Sequence, residues 1–203
     1  MATHRKSQRE QQKSRSRHRL IARATALCER RGFAGLATAE VARRARLSHG
    51  AVFVHFPTRD ALVAEVAGAF AREVTDRLHA LLRDAAPLRD VLYAHLRAIA
   101  SREDLYRHAL MDARAMPKTF RSSWIGIQSA VSGYIARAAE REIARGTIRP
   151  VAPHLLFNTW VGLVHHYLMN RNLFVRGGSV LEAHGRMLVD HMMRLLATKE
   201  ARP

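Results

Sequence analysis

The stretch "TAEVARRARLSHGAVFVHF", residues 38–56, decides the fold. Its first eight residues, Thr38 to Ala45, place apolar side chains at helical spacing. Ser48 is a residue type that caps a helix N-terminus by accepting a backbone N–H. The pattern therefore predicts two short helices joined by about three residues, which is the layout of a helix-turn-helix.

The second of these helices has two pairs of residues on different faces. Val52 and Phe56 lie four residues apart, so they share a face that we expect to pack inward. His49 and Phe53 have the same spacing on another face. Pro57 ends the helix, because the residue before a proline is pushed out of the α region. A helix that exposes His, Gly and Phe at its N-terminal end is better suited to contact a DNA groove than to face solvent alone.

A further helix is predicted before this pair, from Leu20 to Arg31. Leu20, Ala24 and Cys28 recur at helical spacing, and Gly32 suits the left-handed position after a helix. Cys28 therefore lies on the apolar stripe, where a packed thiol is favoured over a redox sensor. It is the only cysteine, which excludes an intrachain disulfide and favours a reducing, cytoplasmic setting.

The charge of the chain is concentrated near its start. The net charge is +17, and residues 1–60 hold 14 Lys and Arg against 4 Asp and Glu. A concentrated positive field points to nucleic acid as the partner. The alternative is an arginine-rich composition whose basic surfaces carry no function. Residues 1–17 are basic, polar and without periodicity, which predicts a disordered basic arm.

Several other classes of protein are disfavoured. No apolar run is long enough to span a membrane, and the basic start has no apolar segment behind it, so it does not resemble a signal peptide. No nucleophile–base pair, glycine loop or carboxylate pair supports an enzyme, and no cofactor is expected. The adjacent His165 and His166 point to different helix faces, so we expect no metal site. Pocket lining or surface is the preferred interpretation of these histidines.

The rest of the chain reads as longer helices, and no strand pair is predicted. Their approximate bounds are 60–84, 87–100, 102–116, 120–145, 153–172 and 180–199. The last two carry more apolar residues than one stripe needs, which predicts a second buried face. A two-fold dimer made of four helices explains this face, and the alternative is a central helix wrapped by its own chain.

The segment "GFAGLATAEVARRARLSHGAVFVHFPTRDALVAEV", residues 32–66, resembles the TetR family of transcriptional regulators, and the match extends from Ile21 to Val66. The resemblance implies an all-α, homodimeric DNA-binding protein, usually a repressor that a small molecule releases from its operator. It implies a helix-turn-helix head, residues 18–60, and a bundle of six helices, residues 61–203, that binds the effector and dimerises through its last two helices.

The resemblance also implies DNA-contacting positions. Thr38, His55 and Arg59 match residues that meet the phosphate backbone, while His49, Gly50 and Ala51 match positions that meet base edges; Ser48 and Phe53 complete the set. Phe53 has no hydroxyl to donate, and Ala51 offers only a methyl group, which suits thymine.

The second helix of the pair therefore has few side chains that can hydrogen-bond to bases, and the basic arm offers a second source of affinity for DNA. We hypothesise that Arg17 or Arg19 enters a minor groove of the double-stranded operator. A non-specific helical DNA-binding architectural protein without an effector is the alternative function.

An effector pocket is expected among the fourth to eighth helices. Polar or aromatic residues on mostly apolar segments are the candidates for its lining. They are Tyr93, His108, Trp124, Gln128, Asn158, Trp160 and His165, and each of them alone is more often core packing or surface than a ligand contact.

Overall fold

The computed structural model describes residues 2–83 and 85–198, and these residues form α-helices joined by short connections. The helices are α1 (Ala2–Arg31), α2 (Thr38–Ala45), α3 (His49–His55), α4 (Arg59–Leu81), α5 (Leu88–Ala100), α6 (Glu103–Asp112), α7 (Lys118–Ala144), α8 (Pro153–Met169), α9 (Arg171–Phe174) and α10 (Val180–Leu196). Within the described ranges, the only β pairing is an isolated bridge between Ile148 and Ala197. The predicted all-α fold is confirmed.

The head of the molecule, α1 to α3, packs around a small apolar core. Leu20 and Cys28 of α1, Val41 of α2 and Val52 of α3 are all fully buried. Burial raises the pKa of the Cys28 thiol to about 12, which fits a packed and unreactive thiol. Ser48 caps α3 as predicted, since its hydroxyl oxygen accepts the N–H of Ala51 at 3.2 Å. The predicted helix-turn-helix and the bounds of α2 are confirmed.

Residues 2–17 differ from the disordered arm that the sequence predicts for residues 1–17. The structure continues α1 through this segment, from Ala2 without a break. Gln, Arg and Lys are good helix formers, and the packed second half of α1 supplies the nucleus on which helix propagates. The absence of apolar periodicity means only that this part of α1 is solvated. Arg17 anchors it, because its guanidinium pairs with Glu65 of α4 at 2.6 Å and lies 5.3 Å from the centre of the Phe56 ring.

The body, α4 to α10, contains the six predicted long helices and one short one. Apolar residues recur every four positions in α4 from Leu62 to Leu78, and they are buried. α8 ends earlier than predicted because Asn170 donates its side-chain amide to the His166 carbonyl at 3.0 Å, and the short α9 follows. α6 ends at Asp112, where a turn of 3-10 helix replaces the predicted continuation. The predicted ends of the fourth and last helices, Asp84 and Lys199, lie outside the described residues.

A buried carboxylate fixes α6 to α10. Glu103 accepts the backbone N–H groups of Val180 at 3.0 Å and Leu181 at 3.2 Å, and it also accepts the Ser179 hydroxyl. These are the free donors of the first turn of α10, where a negative charge is stabilised by the helix dipole. The start of α6 is thereby held in place.

None of the helices that the structure describes is long and apolar enough to span a membrane.

Candidate nucleic-acid interface and internal polar cluster

The exposed face of α3 is small, aromatic and apolar. Phe53 is 43% exposed and Val54 is 71% exposed, although both are large apolar side chains. His49 and Gly50 are exposed beside them, and a Cβ atom built on Gly50 would meet nothing within 4 Å. An unpacked helix face of this kind leaves room for the edge of another molecule.

Thr38 and His49 are hydrogen-bonded to each other on this surface. The Thr38 hydroxyl lies 3.0 Å from Nε2 of His49, and the His49 ring meets the Phe53 ring edge-on at 5.1 Å between centroids. Thr38 begins α2, whose N-cap residue Ala37 provides no side-chain cap. The structure thus brings together three of the predicted DNA-contacting residues from two helices.

Three other predicted contacts occupy the flanks of α3. Ser48 and Ala51 form its N-terminal cap, so Ser48 is engaged in fixing the helix. His55, at its other end, is half-buried, and its Nδ1 atom has no hydrogen-bond partner among the described residues. Burial lowers the pKa of His55, and the nearby positive charges of Lys13 and Arg17 lower it further. α1 therefore passes close to the C-terminal end of α3.

Arg59, which the resemblance places at a phosphate, is engaged by the protein's own backbone in this structure. Its guanidinium group donates to the backbone carbonyls of Phe33 at 2.7 Å, Ala34 at 2.8 Å and Leu36 at 2.8 Å. A further contact to Asp60 measures 3.3 Å. The reason is local: three carbonyls of the loop between α1 and α2 lie close to the start of α4, and an arginine fork can donate to several acceptors at once. Arg59 therefore holds the loop.

The two arginines predicted to enter a minor groove are placed differently from each other. Arg17 is held by Glu65 and Phe56, so its guanidinium is already engaged inside the protein. Arg19 is exposed and lines a cleft between α1 and α2. Arg19 has no salt-bridge partner among the described residues, so entry of this side chain into a minor groove stays a prediction.

A cluster of polar and aromatic side chains lies inside the body. The Tyr106 hydroxyl, from α6, lies 3.0 Å from Nε2 of His165 on α8 and accepts the Gln128 amide at 3.2 Å. The Trp124 ring lies 5.0 Å from the Tyr106 ring and 6.1 Å from the His165 ring. Burial raises the pKa of Tyr106 and lowers that of His165 to about 4, so both are neutral at pH 7.

A second buried pair adjoins this cluster. Trp160 of α8 donates its indole N–H to Nδ1 of His95 on α5 at 3.0 Å. His95 is completely buried, and its Nε2 atom has no partner among the described residues. Burial lowers the pKa of His95 to about 3, with a contribution from His165. A buried, unpartnered ring nitrogen is costly, and a polar ligand atom could satisfy it.

The structure brings some of the candidate pocket residues together and separates others, so their role in binding an effector stays a prediction. Trp124, Gln128 and His165 come together around Tyr106, and Trp160 donates a hydrogen bond to the adjoining His95. Tyr106 was not among the candidates, although it is also an aromatic residue on an apolar helix face. Tyr93, His108 and Asn158 lie apart. Tyr93 lines a separate cleft beside the loop after α4, His108 lies beside Gly32, and Asn158 is exposed on α8. Their helices turn these side chains away from the cluster.

The last turn of α6 contacts the head. The Asp112 carboxylate accepts the backbone N–H groups of Phe33 at 2.8 Å and Ala34 at 3.1 Å. The Phe33 ring also packs edge-on against Phe120 of α7, with 4.8 Å between centroids. Tyr106 and Asp112 lie about 9 Å apart along the helix axis. One short helix therefore touches both the internal cluster and the loop that precedes α2.

Apolar side chains are exposed on one surface made by α8 and α10. Leu155 and Met169 of α8 are 55% and 51% exposed, and Met187 and Leu195 of α10 are 44% and 41% exposed. The opposite faces of both helices are buried in the body. The second buried face that the sequence predicts for these helices stays a prediction, and these exposed side chains are the candidates to form it.

Comparison with known proteins agrees with this geometry. Residues 20–66 match the sequence model of "Bacterial regulatory proteins, tetR family". No protein of curated function matches the chain.

Solved structures share the fold over almost their whole length. A putative transcriptional regulator from Saccharomonospora viridis in complex with choline has a TM-score of 0.78 and 18% identity, covering 92% of this chain and 100% of that one. NemR from E. coli, in its reduced form, has a TM-score of 0.72 and 18% identity, covering 90% and 97%. The TetR-family regulator PfmR from Thermus thermophilus has a TM-score of 0.71 and 18% identity, covering 87% and 97%.

The fold and the N-terminal match define the class of protein, a DNA-binding transcriptional regulator. Residues 20–66 are a DNA-binding domain of the TetR family, and the whole chain has the fold of TetR-family regulators.

Proposed function

We propose that the protein is a homodimeric repressor that binds a double-stranded operator through α3 and leaves it when a small molecule enters the cluster around Tyr106. One observation carries this proposal: α6 holds Tyr106 in the cluster and Asp112 on the head. A ligand that separates Tyr106 from His165 would displace α6, and Asp112 would transmit that displacement to the Phe33–Ala34 backbone. Such a ligand must bind the displaced state more tightly to shift the equilibrium.

The chemistry of the cluster indicates the class of effector. Its histidines are neutral, Tyr106 and Trp124 make it aromatic, and Nε2 of His95 has no partner among the described residues. This favours a mostly apolar or aromatic molecule with one or two hydrogen-bonding groups. The structure of the similar regulator from Saccharomonospora viridis holds choline, so quaternary ammonium compounds belong among the probes because aromatic rings also attract such cations.

Binding of DNA by the head is tested by footprinting the DNA next to the protein's own gene, followed by affinity measurements at two salt concentrations. We expect protection of a two-fold symmetric site and a preference of about 10³ or more over scrambled duplex. Equal affinity for both duplexes would favour the architectural alternative, which lacks an operator.

Binding of an effector can be followed by intrinsic fluorescence, because the only two tryptophans, Trp124 and Trp160, lie at the cluster. A panel of planar aromatic molecules and quaternary ammonium ions should contain compounds that shift the emission and release DNA. For a compound that uses the Tyr106 hydroxyl, Tyr106→Phe should weaken binding about fivefold, the value of one hydrogen bond.

The matched control for this experiment is Asn158→Ala, an exposed position on α8. It should leave the affinity of every hit unchanged. Some compounds that release DNA could keep their affinity for Tyr106→Phe and His165→Ala but bind Tyr93→Phe more weakly. That result would place the effector site in the cleft beside the loop after α4 instead.

A further inference from the structure

A basic groove follows one side of α1 and ends at the turn between α2 and α3. We call it the α1 groove. Its first part has a volume of about 520 Å³ and is lined by Gln12, Arg15, Ser16, His18 and Arg19. Its second part, also about 520 Å³, is lined by Arg19, Arg23, Ala26, Arg44, Ala45 and Arg46. Arg19 lines both parts.

The positive charge of the α1 groove is poorly compensated. Arg15, Arg19, Arg23 and Arg46 have no carboxylate within salt-bridge distance among the residues that the structure describes. Arg44 pairs with Glu40 at 2.6 Å, and Glu40 is shared with Arg43. Guanidinium groups that face one cleft repel one another, and an anion bound there relieves this repulsion.

The spacing of the arginines suits a linear polyanion better than a compact ion. Arg15, Arg19 and Arg23 follow one another at four-residue intervals on α1. Each interval advances about 6 Å along the helix axis, so the three span about 12 Å. Phosphate groups on a nucleic-acid strand form such a series, and each can take a bidentate guanidinium contact.

The groove is placed beside the recognition helix. Arg46 lies three residues before His49, the first residue of α3. On another side of α1, Lys13 and Arg17 lie close enough to lower the pKa of His55, the last residue of α3. α1 therefore passes both ends of the helix that faces DNA.

We propose that the α1 groove binds phosphates of the DNA that flanks the site contacted by α3. This inference rests on the DNA-binding function of the head. The recognition helix, α3, has few polar side chains with which to bind bases. Contacts between the α1 groove and DNA phosphates supply additional affinity. The contacts are to phosphate, so they strengthen binding to all sequences and make it more sensitive to salt.

The test compares the full chain with two triple variants that lose the same charge. Arg15→Gln, Arg19→Gln and Arg23→Gln together remove the groove arginines while keeping good helix formers. Arg97→Gln, Arg121→Gln and Arg176→Gln together remove three exposed arginines of the body. Affinity for a random 40-base-pair duplex, about four helical turns, is measured against KCl concentration, and circular dichroism checks the helix content.

The groove variant should lower the slope of log affinity against log salt by about 0.9 for each phosphate that it no longer binds, or about 2 to 3 for each head. The body variant should keep the slope of the unmodified chain. Hydroxyl-radical footprints on the operator should lose their outer protection in the groove variant and retain the centre.

Three results would overturn the proposal, and they are distinguishable. Equal slopes for the two triple variants would show that the groove does not contact DNA. The second result is that sodium pyrophosphate, at constant ionic strength, stabilises the unmodified chain but not the groove variant, while both have the same salt slope of DNA binding. This would indicate a site for small anions. Failure of the unmodified chain to bind any duplex would overturn the DNA-binding function itself.

Discussion

Leu155→Glu combined with Met187→Glu should convert the proposed dimer into a monomer and lower affinity for a symmetric operator by about 10²–10⁴-fold, the gain that linking two binding modules provides. Both side chains are apolar and about half exposed, and they lie on the two helices whose other faces are already buried. A two-fold interface pairs each surface with its own copy, so one glutamate at each position places buried charges on both sides of the contact.

Sedimentation equilibrium measures the mass of each protein in solution. Titration of a symmetric operator and of its half-site measures the affinity of each protein for the two DNAs. The half-site should bind the variant and the unmodified chain almost equally, because each head is intact. Met111→Glu combined with Ile125→Glu is the control, since these residues of α6 and α7 are 56% and 61% exposed but lie off the α8–α10 surface. A variant that stays dimeric, or a control that dissociates, would place the interface elsewhere.

The head could be predicted closely from the sequence because its signals are local. Ser48, Gly32 and the apolar spacing of α2 determine caps and turns within a few residues, and the structure has α2 at Thr38–Ala45 as predicted. Residues 2–17 were misjudged for the opposite reason. Their helix depends on being continuous with a packed segment, and a window limited to polar residues does not contain that information.

The internal cluster could be predicted only in part because it is assembled across the bundle. Trp124 and Gln128 of α7 meet His165 of α8 through Tyr106 of α6, and no sequence spacing relates these helices. A polar residue on an apolar helix marks a candidate, but the rotation of each helix decides whether it points inward. Asn158 lies only two residues before Trp160 on α8, yet one is exposed and the other is fully buried.

Arg59 shows how a recognised motif position can take a different role. The sequence presents a basic residue at the start of α4, where the resemblance implies a phosphate contact. The acceptors that occupy its guanidinium are backbone carbonyls of residues 33–36. Backbone carbonyls are present in every sequence, so no residue pattern reveals that three of them converge on this point.

Arg59→Ala should lower the free energy of unfolding by about 2–4 kcal/mol, because three carbonyls lose charged donors in a partly buried loop. It should weaken binding to operator and random DNA together. The loop is held from both sides: Asp112 accepts the N–H groups of Phe33 and Ala34, and Arg59 donates to carbonyls of the same segment. Losing one side frees the segment that leads directly into Thr38.

Two measurements separate this positioning role from a phosphate contact. If Arg59 positions the loop, amide hydrogen exchange at residues 33–36 should accelerate in Arg59→Ala, while the salt slope of DNA binding stays unchanged. If Arg59 binds phosphate, the slope should fall by about 0.9 with stability intact. Asp60→Asn is the control, because it removes only the 3.3 Å ion pair and leaves the three carbonyl hydrogen bonds in place. Normal stability and exchange in Arg59→Ala would contradict the positioning role, because the three carbonyl hydrogen bonds could then be removed without freeing the loop.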